Sequence, residues 1–210
     1  MHDTPTPLTA LRHVHGGPLA PPPSPSPSPS PHRPVARVRP ARAADADAAC
    51  ALLRASITRA CAPDHAHDPG VLTGWLANKT PSQVAAWIGS AASHSLVAEA
   101  DGTIAGIALV TRKGRIALLH VDPDRQRDGI GSALLAGLER QARAWGLAEL
   151  RTDATRCAVG FFVRRGYRAG APVRTAYGLD AVAFAKRLVP SYARRPACGC
   201  DGGGTPRDRS

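Results

Sequence analysis

The first third of the chain changes from a strand-like to a helix-like spacing of apolar residues. Residues 35–39 predict a short strand. Apolar residues at helical spacing then predict a first helix with one apolar face, formed by Ala46, Ala49, Cys50, Leu53, Ile57 and Ala60. A second helical region surrounds Trp75. A third helix is expected to begin at Thr80, where a capping residue, a first-turn proline and Gln83 form a helix-start signal.

The middle of the chain predicts a meander of three strands. Residues 95–100 and 103–110 flank Asp101-Gly102, a two-residue loop that suits a type I′ turn. The third strand is expected to end at Val121, because Pro123 lacks the amide hydrogen that a strand ladder needs.

The second half alternates helices and strands. Apolar residues at helical spacing run from Ile130 to Trp145 and stop at Gly146. The remaining predicted elements are a strand near Leu150, a helix over 157–165, and strands near Tyr167 and over 182–188. This order predicts an α/β fold with a mixed, mostly antiparallel central sheet flanked by helices.

The turn between Val121 and the helix at Ile130 contains Gly129 and two arginines, Arg125 and Arg127. The first amides of a helix have no partner within the helix and carry a partial positive charge, so they attract phosphate. Glycines let a ligand approach such amides closely. The turn therefore predicts a phosphate-binding loop.

The spacing of the glycines excludes two common phosphate loops. A dinucleotide-binding fold needs a third glycine where this chain has Leu134, and the lysine of a Walker loop is missing. The run instead resembles the Q/R-x-x-G-x-G/A signature of the GNAT superfamily of acetyl-CoA-dependent N-acetyltransferases, with Gln126, Gly129 and Gly131 at the defining places.

A later segment resembles a second motif of that family. Residues 155–167 read T-R-C-A-V-G-F-F-V-R-R-G-Y, against N-x-x-A-x-x-F-Y-x-x-x-G-F in the family. The similar positions are Ala158, Phe161, Gly166 and Tyr167. Thr155 replaces the usual Asn, and Phe162 replaces a Tyr that is often credited with protonating the departing CoA thiolate. A phenyl ring has no such proton, so another acid is required.

The resemblance implies a GNAT-like fold and acetyl-CoA as co-substrate. It implies that a primary amine attacks the thioester directly. The expected CoA contacts are Leu119, His120 and Val121 at the strand end, and Gln126, Arg127, Asp128, Gly129, Ile130, Gly131 and Ser132 in the loop. In the family, loop amides hold the pyrophosphate and strand-end amides steady the oxyanion.

The general base is not evident on the strand before the loop. Counting back from Val121 by twos gives Leu119, Ala117 and Arg115, none of which is a base, and puts His120 on the opposite face unless a bulge intervenes. His120 thus stays a catalytic candidate beside a structural interpretation.

A polar cluster after the first helix offers further candidates. Asp64 could attract a cationic amine and His65 could accept its proton, or the aspartates could cap helices with the histidines solvated. Tyr177 could replace the missing acid. Trp75 either lines the acceptor pocket or fills the core, and Lys79 is expected to be solvated.

The five cysteines do not form a disulfide or metal pattern. Cys61, His65 and His67 lack the spacing of a complete zinc site, so no metal is expected. Cys198 and Cys200 form a lone C-x-C, and an odd number of cysteines cannot all pair. A reducing cytoplasm is the expected location.

Composition limits the domain and its partners. Residues 1–34, rich in proline and serine, and residues 190–210 are expected to be disordered, which leaves one acetyltransferase domain over 35–189. No run is long enough to span a membrane. The net charge is +11, of which the two tails carry +1 and +2, leaving +8 on the domain.

Three interpretations of function follow. Part of the surplus charge suits CoA phosphates, and with 4% aromatic residues and no nucleic-acid motif, direct nucleic-acid binding is the minor alternative. A catalytically silent CoA-binding sensor or interaction module is another. The favoured interpretation is an N-acetyltransferase acting on a small-molecule or protein amine, as a monomer or homodimer.

Overall fold

The computed structural model describes residues 36–188. The proposed tails, residues 1–34 and 190–210, lie outside the described residues. No helix in this described part is long and apolar enough to cross a membrane.

The first sheet contains four antiparallel strands in the order β1-β2-β3-β4. Their bounds are Arg37–Pro40 for β1, Ser93–Ala100 for β2, Thr103–Thr111 for β3 and Ile116–Val121 for β4. The predicted hairpin between β2 and β3 is confirmed. Asp101 and Gly102 have φ values of 52° and 72°, the left-handed conformation that a type I′ turn requires.

The second sheet contains three antiparallel strands in the order β5-β7-β6. Their bounds are Glu149–Thr155 for β5, Arg168–Arg174 for β6 and Asp180–Arg187 for β7. A single parallel bridge between Arg115 and Arg151 joins the two sheets. The mixed, mostly antiparallel arrangement predicted from the element order is therefore confirmed.

Helices pack on both faces of the first sheet, and the helix that follows β5 packs on the second sheet. Their bounds are Ala46–Ala55 for α1, Ala62–His65 for α2, Pro69–Leu76 for α3, Pro81–Gly89 for α4, Ile130–Ala144 for α5 and Arg156–Arg164 for α6. The predicted start of α4 is confirmed, because Thr80 Oγ1 accepts a hydrogen bond of 3.2 Å from the Gln83 amide. The predicted first helix extends beyond α1 as a π-helical segment, Ser56–Ala60, before the chain turns at Cys61.

Two apolar cores result from this arrangement. One lies between the sheets and the pair α5 and α6, and it includes Leu134, Leu138 and Phe184. The other lies under α1, α3 and α4, and it includes Leu53 and Ile57 of the predicted apolar helix face. Residues of β2 and β3 alternate between the two cores, as the strand period predicts.

Gly106 on β3 allows α5 to approach the sheet closely. A Cβ atom at this position would lie 2.8 Å from Leu134 Cδ1, 2.9 Å from Ile130 Cγ2 and 3.2 Å from the His120 carbonyl oxygen. Because Ile130 is the first residue of α5, this contact fixes where the helix begins relative to β4.

Replacing Gly106 with alanine is expected to lower the free energy of unfolding by about 1–3 kcal/mol, because the added methyl group overpacks the α5 interface. Urea denaturation measures the change. Gly74→Ala in α3 is the matched control, since its Cβ meets nothing within 4 Å and alanine suits a helix better than glycine. An equal loss of stability in the two variants would contradict the packing argument.

Candidate active site

A cavity of about 1440 Å³ lies where β4 and β5 separate. The two strands share the Arg115–Arg151 bridge near their first residues, and the Thr152 hydroxyl donates to the Ile116 carbonyl at 3.2 Å. No further backbone pairing joins β4 to β5 within residues 36–188. The open edges of the two strands, together with α6 and the turn before α5, form the cavity walls.

The turn before α5 leaves helix amides open to this cavity. Gly129 is the N-cap of α5, has φ +81°, and provides no side chain to bond the first-turn amides. A Cβ atom at Gly129 would meet nothing within 4 Å, so the space above these amides is open. At Gly131 a Cβ would lie 3.4 Å from the Phe161 ring and 3.6 Å from Val121 Cγ2, which is ordinary van der Waals contact with the cavity wall.

Most of the predicted CoA contacts line the cavity. They are Leu119, His120 and Val121 on β4, and Gln126, Arg127, Gly129, Gly131 and Ser132 in the turn and on α5. Asp128 and Ile130 are not among the lining residues, and Ile130 is buried beneath the turn. The strand end and the loop that the sequence assigned to one cofactor therefore share one cavity.

Positive charge accompanies the open amides. Arg127, Arg164 and Arg165 all line the cavity. Arg165 donates a hydrogen bond to Ser132 Oγ on the first turn of α5, and its guanidinium carbon lies 5.8 Å from the centre of the Phe161 ring. An anion that bound the α5 amides would therefore have guanidinium groups nearby.

His120 lies on the face of β4 that sequence counting predicts. The β3–β4 register pairs Leu109 with Leu118 and Val110 with Ile116, so a bulge occurs at Ala117. The bulge comes before His120 and leaves its orientation relative to Val121 unchanged. His120 still lines the cavity, because the unpaired edge of β4 opens both strand faces to it.

His120 is neutral at neutral pH. Its Nδ1 lies 3.1 Å from the Oγ of Ser56, a buried residue of the π-helical segment. Burial, with a smaller effect from the positive charge of Lys79, lowers the pKa of His120 from 6.5 to about 4. A neutral imidazole can accept a proton at the ring nitrogen that carries none.

A buried lysine among aromatic rings also lines the cavity. Lys79 was expected to be solvated, but it is only 3% exposed. Its Nζ donates to the Trp75 carbonyl at 3.1 Å, to the Tyr177 hydroxyl at 3.4 Å and to Asn78 Oδ1. It also lies 5.0 Å from the centre of the Tyr177 ring and 5.7 Å from that of Trp87. The burial of Lys79 could not be predicted from the sequence, because the residues around it come from three separate elements.

Two of the four predicted catalytic residues lie away from the cavity walls. Asp64 accepts hydrogen bonds from the Thr155 hydroxyl at 2.8 Å and from the Cys157 amide at 3.2 Å, and so caps the start of α6. His65 is 3% exposed, and neither ring nitrogen has a hydrogen-bond partner among residues 36–188. His120 and Tyr177, the other two, line the cavity, as does Trp75.

Phe162 on α6 is buried and provides no hydroxyl where the family motif has Tyr. Its ring packs against Phe161, Tyr167 and Phe184 at centroid distances between 5.2 and 5.9 Å. Phe162 therefore has no proton to donate.

Residues 64–188 match the family described as the acetyltransferase (GNAT) domain, so this chain belongs to the GNAT family. It is accordingly an acyltransferase of the N-acetyltransferase class. No curated protein matches the chain at a significant level.

Solved structures of GNAT proteins share the fold. A GCN5-related N-acetyltransferase from Rhodopseudomonas palustris is 28% identical, with a TM-score of 0.66, over 73% of this chain and 96% of that one. PaiA N-acetyltransferase from Thermoplasma acidophilum, in complex with coenzyme A, is 19% identical, with a TM-score of 0.61, over 73% and 99%. YncA from Salmonella typhimurium, an acetyltransferase with its cofactor acetyl-CoA, is 19% identical, with a TM-score of 0.59, over 78% and 99%.

Replacing Lys79 with methionine is expected to raise the pKa of His120 above about 4, because a nearby positive charge is removed. The pKa should stay below the ordinary value of 6.5, because burial is the larger cause. An NMR titration of the histidine ring protons measures both values. Lys113→Met, in the exposed turn between β3 and β4, is the control and should leave the pKa unchanged.

The same pKa fixes a pH dependence of stability. His120 binds a proton less readily in the folded protein than in the unfolded chain. Its contribution to the free energy of unfolding is therefore fully present above pH 6.5 and is lost as the pH falls towards 4. A pKa of His120 near 6.5 in the unmodified protein would contradict the desolvated position.

Proposed function

We propose that this protein transfers an acetyl group from acetyl-CoA to a primary amine, which attacks the thioester directly. The observation that carries the proposal is the set of open α5 amides beside the unpaired edges of β4 and β5. The CoA complexes of PaiA and YncA support acetyl-CoA as the co-substrate of this chain too.

In the proposed complex the pyrophosphate lies on residues 126–132. The α5 amides supply hydrogen-bond donors, and Arg127 and Arg165 supply full charges. The space where a Cβ atom of residue 129 would lie is open among the described residues, which supports the approach of a phosphate oxygen to these amides. The cofactor's phosphates would therefore be held mostly by backbone, with guanidinium groups around them.

The pantetheine arm and thioester would lie in the gap between β4 and β5. Within the described part of the chain, the outer edge of β4 has no strand partner at Leu119, His120 and Val121, so its amides and carbonyls are available to an extended ligand. An amide there would donate to the carbonyl oxygen of the thioester as negative charge develops on it.

Proton transfer is the remaining requirement. The attacking amine must lose a proton, and the CoA thiolate must gain one. We assign the first role to His120, directly or through water, because it is neutral and lines the cavity. We assign the second to Tyr177, whose hydroxyl lies beside the Lys79 ammonium. Asp64 and His65 stay the alternative pair, which would need access through the segment after α1.

The Gly129→Asp and Gly129→Asn variants form a matched test of phosphate binding. The two side chains have nearly the same size, and both tolerate the left-handed conformation at this position. Only aspartate adds negative charge, so we expect CoA to bind Gly129→Asp at least about tenfold more weakly than Gly129→Asn. Isothermal titration calorimetry with CoA measures both affinities.

Salt provides the control for that comparison. The difference between the two variants should shrink as ionic strength rises, because added ions screen the repulsion. Equal affinities of the two variants at low salt would place the pyrophosphate away from Gly129 and refute the proposed cofactor position.

His120→Asn and His65→Asn distinguish the two candidate bases. We expect His120→Asn to lower kcat by about 100-fold or more, because the proton acceptor is lost. The affinity for CoA should stay within about twofold, because the turn before α5 that would hold the CoA phosphates is unchanged. The measurement is the release of CoA thiol from acetyl-CoA in the presence of each candidate amine acceptor. The acceptors are a polyamine, an aminoglycoside, free amino acids and a short peptide with a free N-terminus.

His94→Asn on β2 is the control for loss of a histidine as such. A larger fall in kcat for His65→Asn than for His120→Asn would favour the alternative pair. Tight CoA binding by the unmodified protein with no thiol release from any acceptor would favour the sensor interpretation and refute catalysis.

A further inference from the structure

Three potential metal ligands meet at the edge of the cavity. Cys61 follows the π-helical segment, Asp64 lies on α2, and Cys157 lies on the first turn of α6. Their ligand atoms all lie within 4.8 Å of one another. We propose that Cys61, Asp64 and Cys157 bind one zinc ion.

The distance between the two sulfur atoms fits a shared metal ion. Cys61 Sγ and Cys157 Sγ are 3.7 Å apart. Zinc–sulfur bonds of about 2.3 Å at a tetrahedral angle place two thiolates about 3.8 Å apart. The pair therefore needs almost no rearrangement to hold a tetrahedral ion.

Asp64 is already oriented towards this position. Thr155 donates to its Oδ2 and the Cys157 amide donates to its Oδ1, so both carboxylate oxygens are fixed by neighbours of the second cysteine. Hydrogen bonds of this kind orient a ligating carboxylate and strengthen a metal site. Each oxygen keeps a further lone pair for coordination.

The ligand types select the ion. Two thiolates favour a thiophilic ion such as zinc over magnesium or calcium, which prefer oxygen ligands. Cys61 and Cys157 line the cavity whereas Asp64 does not, so a fourth coordination position would open towards the cavity. Water or a ligand donor atom would complete the tetrahedron there.

This site differs from the one considered in the sequence. Cys61, His65 and His67 do not form a ligand group among residues 36–188. Cys157 replaces the histidines as a partner of Cys61, although it lies 96 residues further along the chain. No local spacing motif could reveal such a pair.

A bound ion would link two walls of the cavity. One ligand pair comes from the segment after α1, and the other ligand comes from the start of α6. Because the folded chain brings them together, metal binding should stabilise the folded state in proportion to the logarithm of free zinc.

The test uses the full chain with Cys198→Ser and Cys200→Ser, so that the C-x-C of the tail cannot bind metal. In phosphine-reduced protein we expect one equivalent of zinc, measured by competition with a chromophoric chelator. Cadmium, used as a second probe, should give a thiolate-to-metal absorption band in the ultraviolet. The thermal unfolding midpoint should rise as zinc is added.

Further replacement of Cys157 with serine should lower zinc affinity by about 100-fold or more and remove half of the cadmium band, because one of the two thiolates is lost. Asp64→Asn should weaken zinc binding and keep the band. Cys50→Ser is the matched control, since Cys50 Sγ contacts the Lys79 carbonyl at 3.2 Å and lies outside the site.

Zinc affinity equal in the tail-substituted protein and its Cys61→Ser/Cys157→Ser derivative would overturn the proposal. So would zinc binding that Cys50→Ser reduces as much as Cys157→Ser does. A mass loss of two hydrogens on mild peroxide treatment, with no zinc bound after reduction, would show a thiol pair that serves redox chemistry instead of a metal site. None of these results depends on acetyl transfer.

Discussion

The separation of β4 from β5 is the constraint on which the rest of the structure depends. Parallel neighbours in a sheet normally exchange a full ladder of backbone hydrogen bonds. Here the ladder stops after the Arg115–Arg151 bridge, and each strand continues with one unpaired edge. Unpaired backbone groups in an apolar setting are costly, so a ligand with amides and carbonyls of its own is a suitable partner for them.

Packing of α5 determines what the gap can hold. The helix begins where Ile130 and Leu134 pack against the bare backbone of Gly106, and its free amides then face the end of β4. A larger residue on β3 would move the start of α5 away from the gap. The position of the turn before α5 therefore depends on a close contact in the core as well as on its own glycines.

The polar residues in and beside the cavity have different surroundings. His120 is desolvated and neutral, and Lys79 keeps its hydrogen bonds within a box of aromatic rings. Asp64, by contrast, is engaged in capping α6. Polar residues that look equally reactive in the sequence thus have different surroundings, because Asp64 accepts hydrogen bonds at the start of α6 whereas His120 lines the cavity.

The order of elements, the type I′ turn at Asp101-Gly102 and the start of α5 after Gly129 could all be predicted from the sequence. Each depends on residues a few positions apart, and local spacing determines helix, strand and turn conformations directly. The replacement of the usual tyrosine by Phe162 could be recognised from the sequence for the same reason, since a motif is a local pattern.

The tertiary structure alone decided which polar residues meet. Ser56 and His120 are 64 residues apart, Asp64 and Thr155 are 91 apart, and Cys61 and Cys157 are 96 apart. The burial of Lys79 likewise results from α3, α4 and the loop before β7 closing over it. The periodicity of apolar residues predicts which face of an element is apolar, but it does not predict which distant element covers that face. Proximity between distant side chains therefore follows only from packing.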